Sequence, residues 1–330
     1  MSVSVMVAPS PGSPATGPQT RMVSRDEVDS VPGQNSPTLA ADLLQLTKPR
    51  IVTMILVTTA IAALIAGGGT MAPLLLFHLI VGVAMVAGSA GAMNQVWEYR
   101  IDGQMERTRR RPIAAGRIGF WSGFAFSAIL GAIGFAYLWL VIGPAPAFFA
   151  LATWVLYVPI YTPLKIRSEW NTTVGAISGA LPMMIGYTAS GGSVTDPMGW
   201  LLVGVLMAWQ YPHFMAIAWL FRRQYAEAGF QMTTTVEPSG KRAAIQSVAG
   251  MIVLAGCLVG LVYLIAEPST VATGIMMLLV LAVTYPMTIA AVRFWKSRDD
   301  LTARKLLRAS LLQLPASLLL LTIAALVWGR

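Results

Sequence analysis

The side chains best suited to chemistry are Asn94, Glu98, Asp102 and Glu106, which recur every four residues. On one helix that spacing makes a single face. Like charges stacked this way repel, so the face costs stability unless something cationic rests on it. Magnesium suits it, being a hard cation bound by a few carboxylates together with substrate phosphates. Arg107, Arg109, Arg110 and Arg111 follow directly. A guanidinium grips phosphate oxygens with a bidentate fork. Taken together, acid stripe and arginines describe a metal-bridged diphosphate. Taken apart, they are a solvated helix end and a basic membrane anchor.

Two further segments carry polar groups. The run Tyr161-Thr-Pro-Leu-Lys165-Ile-Arg167, with Asn171 beyond it, offers Lys165 and Arg167 either to a diphosphate or as a membrane boundary. The run Trp209-Gln-Tyr-Pro-His-Phe214 lies inside an apolar stretch. Pro212 lacks a backbone donor and is expected to kink its helix. Gln210 and His213 are polar at membrane depth, where polar groups are usually functional. A lone histidine there fits a haem-iron ligand, a proton carrier or a hydrogen bond to a neighbouring helix.

The elements that must hold these residues are membrane helices. Of 330 residues, 56% are hydrophobic and only 11% charged, too little charged surface for a soluble domain. The apolar residues fall into nine blocks, near 51–67, 73–97, 119–142, 146–162, 172–190, 198–221, 247–266, 270–292 and 306–328. Their length and lack of alternation predict helices. All 23 Lys and Arg except the C-terminal Arg330 lie at or beside alternate connections, on one side of the nine spans. The positive-inside rule then puts the N-terminus in the cytoplasm and the C-terminus outside. This placement assigns the net charge of +9 to topology and anionic lipid, not to nucleic acid. The single Cys257 excludes a disulfide within the chain and a cysteine-built metal site. Residues 1–40, rich in Ser, Pro, Gly, Thr and Val, read as a disordered extension ahead of a nine-helix domain at 41–330. The extension is not strongly Arg-rich, which favours a bacterial plasma (inner) membrane over a mitochondrial one.

Asn94-x3-Glu98-x3-Asp102 resembles the first acidic motif of the UbiA-type intramembrane prenyltransferases. Within them, three features resemble the protohaem IX farnesyltransferase (haem O synthase) family. They are Asn94-Gln95 with Met105-x-Arg107-Thr108 downstream, Tyr161-Thr162-x-Leu164-Lys165-x-Arg167 with Asn171, and Trp209-Gln210-x-Pro212-His213-Phe214; Ala228-Gly229 after Tyr225 is a further match. The resemblance covers roughly residues 42–329 and implies an all-α bundle of nine membrane helices. It implies Mg²⁺ on Asn94, Glu98 and Asp102, the catalytic set, against farnesyl diphosphate. Arg107, Arg111, Lys165 and Arg167 would neutralise the diphosphate, and His213, Gln210, Tyr161 and Tyr225 would stand on the side of the acceptor, protohaem IX. The product, haem O, would pass to a downstream haem-modifying enzyme or to oxidase assembly proteins. One departure stands out: where that family has two acidic residues before the tyrosine, this chain has Arg223 and Gln224. That change implies either that Arg223 meets the diphosphate directly in place of a second metal, or that substrate use is altered or activity lost. A prenyltransferase acting on a quinone or chlorin ring, a transporter, and a haem-handling protein without catalysis are the alternatives.

Overall fold

The computed structural model describes residues 3–5, 21–23, 37–266 and 270–328. The chain divides into Met1–Ala41 and Asp42–Arg330. The expected disordered extension falls mostly outside the described residues. Those within it include β1 (Val3–Val5) and β2 (Arg21–Val23), an antiparallel pair with Val3 opposite Val23. The other described elements are helices joined by turns: α1 (Leu39–Leu46), α2 (Pro49–Ala66), α3 (Pro73–Asp102), α4 (Phe120–Tyr137), α5 (Pro144–Val155), α6 (Asn171–Ala180), α7 (Pro182–Ala189) and α8 (Pro197–Leu220). Short α9 (Arg222–Glu227) and α10 (Thr233–Val236) precede α11 (Lys241–Ile265), α12 (Thr270–Ser297) and α13 (Asp300–Trp328).

Each apolar block becomes a helix because its peptide groups find no water in hydrocarbon and must bond within the segment. Among the described residues, eight helices are long and apolar enough to cross a membrane, against nine expected. The difference lies in the fifth block. Pro182 cannot donate the bond its place in a helix requires, and the block is divided into α6 and α7 of 10 and 8 residues. Pro212, by contrast, sits inside an α8 that runs unbroken from Pro197 to Leu220. The protein is an integral membrane protein, and side chains such as Leu140, Leu312 and Trp121 turn outward as a lipid-facing surface requires.

α8 packs along α11, α3 along α4, and α2 along α7. The main core gathers Met183, Met184, Leu202, Leu254, Leu258 and Phe294. A smaller cluster of Leu46, Met93, Val96, Ile113, Ile118 and Val158 packs at the C-terminal half of α3. α4 and α5 each end in a π-helical turn, Leu138–Ile142 and Leu156–Tyr161. The second is followed by a single turn, Thr162–Leu164.

Candidate active site

α3 has 30 residues and is about 45 Å long, well beyond the roughly 30 Å hydrocarbon core. Its excess length carries Asn94, Glu98 and Asp102 out of the second span on one face, as the spacing predicted. Gly103 ends the helix there. Glu106 therefore leaves the stripe; it is exposed and pairs loosely with Arg109 at 3.9 Å.

The three stripe residues are not a solvated helix end. Asn94, Glu98 and Asp102 are 1%, 6% and 3% exposed, and each meets a cation. The Lys48 ammonium donates to Asn94 Oδ1. Lys165 Nζ donates to Glu98 Oε1 at 2.9 Å. Arg111 donates to both Asp102 oxygens, at 2.8 and 2.7 Å. The cation that the stripe demanded is thus supplied three times by the chain itself. Burial alone lowers the pKa of Lys165, but the Glu98 carboxylate outweighs it and holds the ammonium well above its ordinary value. Lys48 has only the neutral amide as its direct partner, and burial pulls it below its ordinary value.

Three local features deliver these groups. Lys48 precedes α2 with φ of 54°, a left-handed conformation uncommon for a side-chain-bearing residue, and Pro49 then starts the helix with a φ already helical. Gly91 lets the Thr47–Lys48 turn lie against α3; a Cβ there would stand 3.0 Å from the Thr47 carbonyl oxygen. The π-helical turn at Leu156–Tyr161 surrounds Pro159. Thr162 Oγ1 donates to the Tyr157 carbonyl at 2.9 Å and accepts from Asn94 Nδ2 at 3.0 Å. The same turn lays Tyr157 and Tyr161 side by side, ring centroids 5.3 Å apart, with Lys48 5.9 Å from the first and Lys165 4.7 Å from the second. Tyr161, expected on the acceptor side, thus lies against Lys165, expected on the diphosphate side.

The polar connections close around this cluster. Arg107 stands 5.4 Å over the Phe221 ring. The Gln231 amide donates to the Lys165 carbonyl at 2.7 Å, and Asn171 Nδ2 donates to the Gln231 carbonyl at 2.8 Å. Asp42, buried and unremarked in the sequence, receives Arg117 through three hydrogen bonds of 2.9 to 3.1 Å, which ties α1 to the loop after α3. Arg167 and Arg223 are exposed, with no side-chain hydrogen bond or ion pair among the described residues. Tyr225 packs edge-on against Phe221 and Phe230.

Gln210 and His213 are not part of the ion-pair cluster. Gln210 donates to the Ala176 carbonyl of α6 at 3.0 Å. His213 Nδ1 meets Ser310 Oγ of α13 at 2.8 Å and stacks on Trp209 at 4.6 Å. Ser310 Oγ also lies 2.7 Å from the Leu307 carbonyl; where its hydroxyl donates there, His213 Nδ1 carries the ring proton toward Ser310 and Nε2 keeps its lone pair.

The donor set fits a hard divalent cation. Asn94, Glu98 and Asp102 present oxygens only. No group of three or more His, Cys, Asp or Glu that could hold a metal converges among the described residues. Two carboxylates and an amide leave ligand positions to be filled by phosphate oxygens, which is how magnesium is commonly held.

The profile of the UbiA prenyltransferase family matches residues 55–327. The chain belongs to the UbiA prenyltransferase family. Within it, the protohaem IX farnesyltransferase of Rhodopirellula baltica is 53% identical over 288 residues, covering 86% of this chain and 99% of the relative. That of Opitutus terrae is 40% identical over 207 residues, 63% of this chain and 70% of the relative. Two solved UbiA-type structures share the fold. A digeranylgeranylglyceryl phosphate synthase has a TM-score of 0.69 at 15% identity, covering 87% of this chain and 98% of its own. A UbiA homologue from Archaeoglobus fulgidus bound to GPP and Mg²⁺ has a TM-score of 0.59 at 17% identity, covering 85% of this chain and 99% of its own.

Proposed function

We propose that this UbiA-family protein transfers the farnesyl group of farnesyl diphosphate to a vinyl group of protohaem IX, giving haem O and diphosphate. The observation that carries the reading is the buried alignment of Asn94, Glu98 and Asp102 against Lys48, Lys165 and Arg111. The 53% identity to a protohaem IX farnesyltransferase over almost its whole length supports the choice of acceptor and prenyl donor.

In the reaction the farnesyl C1–O bond breaks and its electron pair leaves with the diphosphate. A carbon–carbon bond forms to the terminal vinyl carbon. Water adds its oxygen to the other vinyl carbon and releases a proton. Bound magnesium supplies charge stabilisation on the leaving diphosphate. Asn94, Glu98 and Asp102 would hold it. Lys165 and Arg111, with Arg107 and the exposed Arg167 and Arg223 at the rim, would neutralise the diphosphate oxygens. Tyr157 and Tyr161 offer ring faces to a developing allylic cation, and the apolar bundle keeps water from quenching it. His213, Gln210 and Tyr225 remain assigned to the acceptor side, with haem O passing on to oxidase assembly. The basic connections support a site at the cytoplasmic face of a bacterial plasma membrane.

The decisive experiment is expression in a host lacking its own haem farnesyltransferase, with extracted haems identified by mass. Haem O with the wild type and protohaem alone with Asp102→Asn is the expected result. Protohaem alone from a correctly inserted wild type overturns the reading. A carrier or haem-handling protein would also leave farnesyl diphosphate unconsumed in isolated membranes.

A further inference from the structure

Lys48 lies outside every motif described above, and its half-buried ammonium has no carboxylate in direct contact. It donates to Asn94 Oδ1, lies over Tyr157, and is held by a left-handed backbone at the head of α2. Lys165 and Arg111 occupy the equivalent places on Glu98 and Asp102. A metal drawing on Asn94 Oδ1, Glu98 and Asp102 therefore finds the amide oxygen, one Glu98 oxygen and both Asp102 oxygens already engaged by a cation.

We propose that Lys48 is a third diphosphate-binding cation, and that Lys48, Lys165 and Arg111 act as placeholders which move from the acid stripe to the diphosphate when metal and diphosphate enter together. This rests on the prenyl-diphosphate reading of the site and deepens it. The charges explain the coupling. Three cations against two carboxylates leave one net positive charge in a buried site. A divalent metal alone raises that to three. A diphosphate ester alone, carrying roughly three negative charges when ionised, inverts it to about minus two. Both together bring it close to zero. Burying uncompensated charge is costly, so neither ligand binds well singly, and by linkage each improves the other equally. Lys48 is the member best placed to move, since leaving Asn94 strands no carboxylate.

The test uses the full chain in lipid nanodiscs without prenyl chain or acceptor. Mn²⁺ binding is read by electron paramagnetic resonance and inorganic pyrophosphate binding by calorimetry. In the wild type each probe strengthens the other on the order of tenfold or more. Lys48→Gln keeps a hydrogen-bond donor for Asn94 but loses the charge. It should tighten Mn²⁺ taken alone by about tenfold and weaken pyrophosphate taken alone by about tenfold, while Lys48→Arg stays near the wild type. Opposite signs are the signature, because a merely structural lysine would weaken both. Parallel weakening in the stably folded Lys48→Gln, or no change in either probe, overturns the proposal. Haem O production by the wild type alongside no change in Lys48→Gln would sink the placeholder role alone. Opposite shifts without haem O would support the placeholder role while the acceptor assignment falls.

Discussion

Two of the polar regions inside this helical bundle are built differently. At the end of α3, buried carboxylates meet half-buried cations across four chain segments. Between α8, α12 and α13 the polar groups are neutral. Trp209 donates to the Ser310 carbonyl, His213 pairs with Ser310 Oγ, and Gln313 reaches Thr284 and Ser317. Neutral networks of this kind join helices in a bilayer at modest gain, because the polar groups find partners even before packing. Ion pairs taken out of water repay their desolvation only with good geometry, and are strongly destabilising when half removed. The charged region is therefore where function is expected to maintain the arrangement, and the neutral one is foremost a helix–helix joint.

Substitutions can break this contrast or sharpen it. The largest effect belongs to Asp102→Asn, which keeps hydrogen bonding to Arg111 but loses the charge. Farnesyl transfer in membranes should fall by roughly a hundredfold to a thousandfold, well beyond what the accompanying fall in melting temperature explains; retained transfer would dissolve the contrast. Lys165→Met leaves Glu98 buried beside no direct cation partner. It should lower stability by about 3 kcal/mol as well as activity, measured by thermal unfolding in detergent. Restored stability in Lys165→Met with Glu98→Gln would locate the loss in that pair. His213→Ala sharpens the other side. If its free Nε2 serves the acceptor, KM for protohaem rises about tenfold, or 1.4 kcal/mol, with KM for farnesyl diphosphate unmoved. Equal change in both constants would return His213 to a packing role. Ser310→Ala should cost least, on the order of 0.6 kcal/mol of stability, and a loss of all haem product would show the joint to be part of the site.

The acid stripe was legible because its period is that of one helix, and periodicity is local. Lys165 was legible as a basic residue in the right loop, though nothing in its neighbourhood names Glu98, 67 positions away, as its partner. In the sequence Lys48 stands only as one of the basic residues beside a span. The signal for more was the Lys-Pro pair at a helix start, together with Gly88 and Gly91 on α3, which mark a close approach without saying of what. Asp42 and its pairing with Arg117 left no local trace at all. The nine-block pattern anticipated the membrane bundle, and Pro182 marked the point where the fifth block divides. The neutral network was unreadable in advance because His213 and Ser310 lie 97 residues apart and serine in an apolar helix is unremarkable. The π-helical turns leave no periodic mark either, since one extra residue does not disturb an already continuous apolar run.

That extra residue has a genetic consequence. A π-helical turn inside an α-helix holds one more residue than an α-helical turn spanning the same stretch. Leu156–Tyr161 therefore acts as a register mark between α5 and the segment bearing Thr162 and Lys165. Deleting any one residue of the turn would let the helix close as regular α over the same stretch and leave Thr162 facing Asn94 and Lys165 facing Glu98. Inserting one more residue would instead turn everything beyond by about 100° and swing both off their partners, although neither had been mutated. In a lineage of such chains, single-codon insertions at this turn should be purged as firmly as changes to the carboxylates, whereas single-codon deletions should be borne. Insertions at the turn before Gly143, which carries no cluster residue, should be borne more easily.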